Sequence, residues 1–213
     1  MKKMRDPKKA ARDPVRAAKA LAGMFEMRFG GREDGKYSLL RGHLKNILYR
    51  QTIGDEDIKQ LSDALSDEKI TMINTDDSIV LYETSALLKF RKPPIRLIKE
   101  VLAEAEKDEE ATPATVLAQI YHLPFASRNQ GWYVIPKKDL ELLLAGEHLT
   151  ATHLAAIRHE LYWFHDIWFL ELSSDCVLIH DKTLENIRVA SAKVVDEVTR
   201  EMDEEYEKEL EQE

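Results

Sequence analysis

Three histidines, His153, His159 and His165, recur at intervals of six and invite a metal site. Six residues advance about 600° around an α-helix, so successive members point roughly 120° apart, whereas a zinc pair on one helical face uses positions i and i+4. The run His159-Glu160-Leu161-Tyr162-Trp163 also lacks the second histidine of a helical zinc-protease motif. These histidines are expected at the polar edge of a core, with no metal bound. The single cysteine, Cys176, lies among Val177, Leu178 and Ile179, the setting of a buried strand residue. A nucleophilic cysteine needs an exposed thiol of lowered pKa. His180 and Asp181 follow, but neighbours along a strand point to opposite faces. Gly30-Gly31 lacks the spacing, the preceding strand and the lysine of a phosphate loop. The expectation is a chain with no catalytic group and no cofactor.

Binding chemistry is better represented. The formal charge is −8, yet residues 1–50 carry 14 Lys and Arg against 5 Asp and Glu, while residues 183–213 carry 4 against 11. A basic block at one chain end favours nucleic acid, anionic lipid or an acidic protein. Lys2, Lys3, Lys8, Lys9, Arg12, Arg16 and Lys19 would supply phosphate contacts, with Lys137, Lys138, Thr152, His153 and Arg158 as a second set that could face a groove. The segment 55–69 argues the other way, because Asp55, Glu56, Asp57, Asp63, Asp67 and Glu68 outnumber Lys59 and Lys69 and repel a polyanion. Such a helix suits a protein surface. The aromatic cluster Tyr162, Trp163, Phe164, Trp168 and Phe169 is expected to be core, with a partner-binding patch as the alternative if part of it stays exposed.

The elements that must position these residues follow from capping and periodicity. Asp6-Pro7 and Asp13-Pro14 repeat a cap-then-proline helix start. Pro14 to about Phe29 is predicted helical, with Val15, Ala18, Leu21, Ala22, Phe25 and Phe29 on one stripe. Helices are predicted over Tyr37 to Tyr49 and Asp55 to Ser66, a short strand over Gln51 to Ile53, and a hairpin from Lys69–Asn74 and Ser78–Glu83 around Thr75-Asp76-Asp77. Pro93-Pro94 separates a second half: helices over 94–107 and 112–122, a strand over 132–135, helices over 137–145 and 150–164, and a hairpin from 167–172 and 176–180. Residues 183–213 are predicted as one helix of roughly 40 Å. Its stripe includes Val198, Met202, Tyr206 and Leu210, taken as partner-binding, with a second copy as one candidate partner.

The fold class is therefore mainly α with short β-hairpins, an α+β chain. Helix, strand, helix, helix, hairpin is the element order of a winged helix, and a tandem pair plus a long terminal helix is expected. The divisions would be 1–36, 37–92, 93–182 and 183–213. The densest apolar run, Leu161 to Leu172, contains His165, Asp166 and Glu171, which argues against a membrane span, and the amino terminus lacks the apolar core of a signal peptide. One cysteine excludes an internal disulfide. A cytoplasmic location is expected. The leading functional expectation is a non-enzymatic protein that associates with nucleic acid as a dimer or complex subunit. The alternatives are a protein–protein adaptor and, behind it, a metal-dependent enzyme.

Overall fold

A computed structural model describes residues 12–25, 27, 35–108, 111–123, 132–145, 147–185 and 187–212. The chain is α+β, with two small antiparallel three-stranded sheets. It divides into two compact units, one of Met1–Ala86 with Ile187–Glu213 and the other of Leu87–Asn186. The divisions fall at 87 and 187 rather than at 93 and 183, and both chain ends belong to the first unit.

Unit 1 begins with α1 (Pro14–Gly23). Asp13 caps it by accepting the Val15 and Arg16 N–H groups at 2.9 and 3.0 Å. The helix stops at Gly23, earlier than expected, and Phe29 lies outside the described residues. Ala17, Ala18, Leu21 and Met24 are buried, whereas Val15 is 59% exposed and off the packed stripe. The next element corrects the sequence expectation: β1 (Lys36–Leu40) is a strand, and only α2 (Arg41–Ile47) behind it is helical. The Leu40, Leu44, Ile47 and Leu48 spacing is helical only from Arg41 onward. Upstream, pairing such as Leu39 with Ile79 decides the conformation, and local propensity does not see such a partner. The strand expected at Gln51 to Ile53 is absent from its described residues.

α3 (Asp55–Asp67) follows, capped by Gly54, whose N–H donates to Asp57 at 3.1 Å. Its inward residues Leu61, Ala64 and Leu65 enter the core. β2 (Ile70–Asn74) and β3 (Ser78–Glu83) form the expected hairpin, and the sheet order is β1-β3-β2. A single turn, α4 (Thr84–Leu87), closes it.

Unit 2 starts with α5 (Ile95–Ala105) and α6 (Pro113–His122), the latter capped by the Thr112 side chain, which accepts the Thr115 N–H at 3.1 Å. β4 (Trp132–Pro136) leads into α7 (Lys137–Leu140), which tightens into a 3₁₀ turn over Glu141–Leu144. α8 (Ala151–His165), β5 (Ile167–Glu171) and β6 (Asp175–His180) come next, with sheet order β4-β6-β5. α9 (Asp181–Glu185) ends the unit.

The helix expected over 183–213 is thereby split. After α9 the chain is extended through Val189 and Ala190, and α10 (Ala192–Leu210) starts at Ser191, whose side chain accepts the Val194 N–H at 3.4 Å. Nineteen residues at 1.5 Å each span about 28 Å. Val195, Val198 and Met202 are buried in the core of unit 1.

The two units repeat one another in detail. Tyr37 and Tyr133, each second in its strand, donate their hydroxyls to the Leu21 and Leu117 carbonyls, 16 residues upstream in both cases, at 2.8 and 3.0 Å. Arg41 and Lys137 donate their N–H groups to the hairpin-turn carbonyls of Asp77 and Ser174 at 3.1 and 3.0 Å. The left-handed residues match as well: Tyr49 with Ala145 (φ 50° and 52°) and Lys69 with Asp166 (61° and 54°). The carbonyls of that second pair accept the Thr84 and Asp181 N–H groups, both at 2.9 Å.

Candidate interaction surface

The equivalent helices α3 and α8 share an inward pattern and differ outward. α3 buries Leu61 and Leu65, and α8 buries Ile157 and Leu161. On α3 the outward positions are Asp55, Glu56, Lys59, Gln60, Asp63, Ser66 and Asp67, all exposed. Its first-turn acids complement the positive end of the helix dipole. Gln60 donates to Glu56 at 2.8 Å.

α8 is built to expose apolar atoms. Thr150 caps it, accepting the His153 N–H at 3.2 Å, and Asp166 ends it in the left-handed conformation. Leu154, Ile157 and Leu161 face the core, and Thr152, Ala155, Ala156, Arg158, His159, Trp163 and Phe164 are exposed. Trp163 is 66% and Phe164 75% exposed, so the expected aromatic core is only partly one. Phe169 is buried. Tyr162 and Trp168 are half-buried with ring centroids 4.9 Å apart, and Tyr162 meets the Trp163 ring edge-on at 5.7 Å. The Trp168 Nε1–H donates to Asp181 at 2.7 Å, which fixes that ring and thereby the shelf under Trp163. His159 approaches Trp163 at 6.1 Å. Glu160, on the flank, is hydrogen-bonded by the Thr112 hydroxyl. The stripe 154-157-161 places position 163 on the opposite face of the helix, which is the sequence signal for its exposure; position 164 continues the stripe, and nothing in the spacing announces the exposure of Phe164 beside the helix end.

Of the eight described residues expected to meet phosphate or a groove, five lie within 4 Å of a carboxylate. Lys2, Lys3, Lys8 and Lys9 lie outside the described residues. Arg12 pairs with Asp203 (Nε to Oδ1 2.9 Å), donates to the Asn46 carbonyl at 2.9 Å and lies over the Tyr49 ring. Arg16 pairs with Glu209 and stacks on Tyr206 at 4.9 Å; the Glu209 hydrogen bond holds its guanidinium above the ordinary value, against a lowering by burial. Arg12 and Arg16 are thus each matched to one acid of the last helix within unit 1. Lys137 donates to Glu171 at 2.7 Å and Arg158 lies 3.7 Å from the same carboxylate. His153 lies 3.5 Å from Glu147. Lys19, Lys138 and Thr152 are exposed. Of the terminal-helix residues taken as partner-binding, Val198 and Met202 are core, Tyr206 lies under Arg16, and Leu210 is 49% exposed.

Other candidate chemistry is inward. Cys176 is buried, which pushes its thiol up to about 12. Burial likewise raises Tyr121, to about 12, while its oxygen accepts the His180 N–H at 3.1 Å. Among the described residues no three His, Cys, Asp or Glu side chains converge on one point, and no helix is long and apolar enough to cross a membrane. Compared with known proteins, the chain matches no family model, no curated protein and no solved structure.

Proposed function

We propose that the protein is a non-enzymatic assembly subunit made of two winged-helix modules, and that the second module holds a protein partner on the outward side of α8. The element order, with the first strand beside the second strand of the hairpin, supports the winged-helix reading in both units. In such modules the helix before the hairpin is the one that reads a groove. A nucleic-acid reader presents cations and hydrogen-bonding side chains there. α3 carries five acids and one lysine, and α8 presents alanines, a histidine, two aromatic rings and one arginine, Arg158, which lies near Glu171.

The observation that carries the proposal is the exposure of Trp163 and Phe164 at the end of one helix. Contiguous exposed aromatics mark interaction sites, and tryptophan is enriched among residues that dominate binding energy. Nucleic-acid association would instead draw on the exposed Lys19 and Lys138 and on residues 1–11.

A photo-crosslinking amino acid at position 163, compared with one at position 63 of α3, tests the reading in native cells. The expected outcome is a discrete adduct from 163, abolished by Phe164→Ser, with none from 63. Salt-dependent binding of duplex DNA or RNA that survives Trp163→Ser and is lost on deleting residues 1–20 would contradict it.

A further inference from the structure

The hairpin leaves one edge of each first strand uncovered, and in both units an extended segment fills it. In unit 1, Ser38 N–H donates to the Arg188 carbonyl and Ala190 N–H donates to the Ser38 carbonyl, both at 2.8 Å, with Val189 as a parallel bridge partner of Ser38. In unit 2, Val134 N–H donates to the Arg91 carbonyl at 2.8 Å. Each edge segment then runs into a helix that enters the same core. Ser191 starts α10, which buries Val195, Val198 and Met202 in unit 1. Pro94 starts α5, which buries Ile98, Val101 and Ala105 in unit 2.

These two straps occupy equivalent places in the duplicated order, each following the turn that closes its own hairpin. Their destinations are exchanged. The strap after the first hairpin completes unit 2, and the strap after the second hairpin completes unit 1. We infer that the chain is a reciprocal strap exchange closed within one polypeptide: each repeat supplies an edge segment and the core helix that follows it to the other's module. Exchange of an identical element is the arrangement by which protomers build swapped dimers, and here the covalent link between repeats lets one chain perform it alone. It also explains the split of the terminal helix, since Val189 and Ala190 must stay extended to reach β1. The covered edges remove two templates for intermolecular strand pairing.

Two measurements on the full chain test the exchange. In a Cys176→Ser background, Arg16→Cys with Glu209→Cys places thiols on α1 and α10 in place of an exposed ion pair, whose loss costs little. A short bismaleimide should link 16 to 209 at the mass of one chain. A product at twice that mass assigns the exchange to two copies, and absence of any link removes α10 from unit 1; either overturns the inference. Separately, a protease site replacing Glu109-Glu110 nicks the chain between repeats. The nicked protein should elute as one peak at the volume of the intact chain, because each piece holds part of both units. Two separated peaks without denaturant would overturn it.

Discussion

α3 and α8 hold equivalent positions in two modules with the same sheet order and the same buried tyrosine hydrogen bond, yet one turns a row of acids outward and the other turns out alanines and aromatic rings. Core positions are held in common because packing and buried hydrogen bonds constrain them, whereas outward positions are free to diverge. The docking role proposed for unit 2 rests on that outward difference.

The core half of the comparison predicts the largest effects. Leu61→Ala and Ile157→Ala remove fully buried methyl groups from equivalent sites and should each cost about 2–5 kcal/mol, measured by urea denaturation. A cost near zero at one site would break the equivalence. On the outward side, Trp163→Ser with Phe164→Ser should weaken partner binding by about 2 kcal/mol or more while changing unfolding free energy by less than about 0.5 kcal/mol. Asp63→Ser with Asp67→Ser on α3 should leave binding unchanged. Equal losses from both pairs would remove the distinction between the modules.

Smaller effects sharpen it. Tyr37→Phe and Tyr133→Phe strip a buried carbonyl of its donor and should each cost about 1–3 kcal/mol. Unit 2 should have an acid limb from Asp175 with no counterpart at the matching place in unit 1, where Ser78 stands. Burial alone would raise the Asp175 carboxyl, but hydrogen bonds from Lys92 and Ser174 outweigh it and hold the pKa below its ordinary value. A depressed folded pKa gives stability that is present above the unfolded value, about 3.9, and lost as pH falls through the folded one. Lys92→Ala should lower Tm modestly at pH 7, since the lysine is half exposed, and should flatten the fall in Tm below about pH 4 by the same amount, because the stability lost at neutral pH is what acid would otherwise remove. Smallest of all, Cys176 should resist a thiol reagent at pH 8 in the native protein and react once per chain in urea, as burial at about 12 requires.

Local signals made much of this fold legible. Asp13-Pro14, Thr112-Pro113 and Thr150 start their helices where capping chemistry places them, and both hairpins form where they are expected, the first around Thr75-Asp76-Asp77. Two long-range pairings defeated local reading. β1 has leucines that continue a helical spacing into α2, and only β3 shows that Tyr37 and Leu39 lie in a sheet. Likewise nothing near Val189 announces that Ser38, far upstream, holds it extended. The aromatic cluster looks like core by composition, although its density comes partly from Trp163, which the inward spacing of α8 excludes, and from Phe164, whose exposure that spacing does not show. Charge segregation was visible, but its consequence was not: Arg12 and Arg16 turn to Asp203 and Glu209 within one unit, leaving fewer cations for a polyanion.

Hydroxyl-radical footprinting of the protein alone and within its native assembly tests the docking claim most directly. Peptides carrying Trp163 and Phe164 should be heavily oxidised in the isolated chain and shielded several-fold in the assembly, with the α3 peptide unchanged. Continued oxidation of both rings in the assembly, together with shielding of α3 or of residues 1–19, would contradict the account.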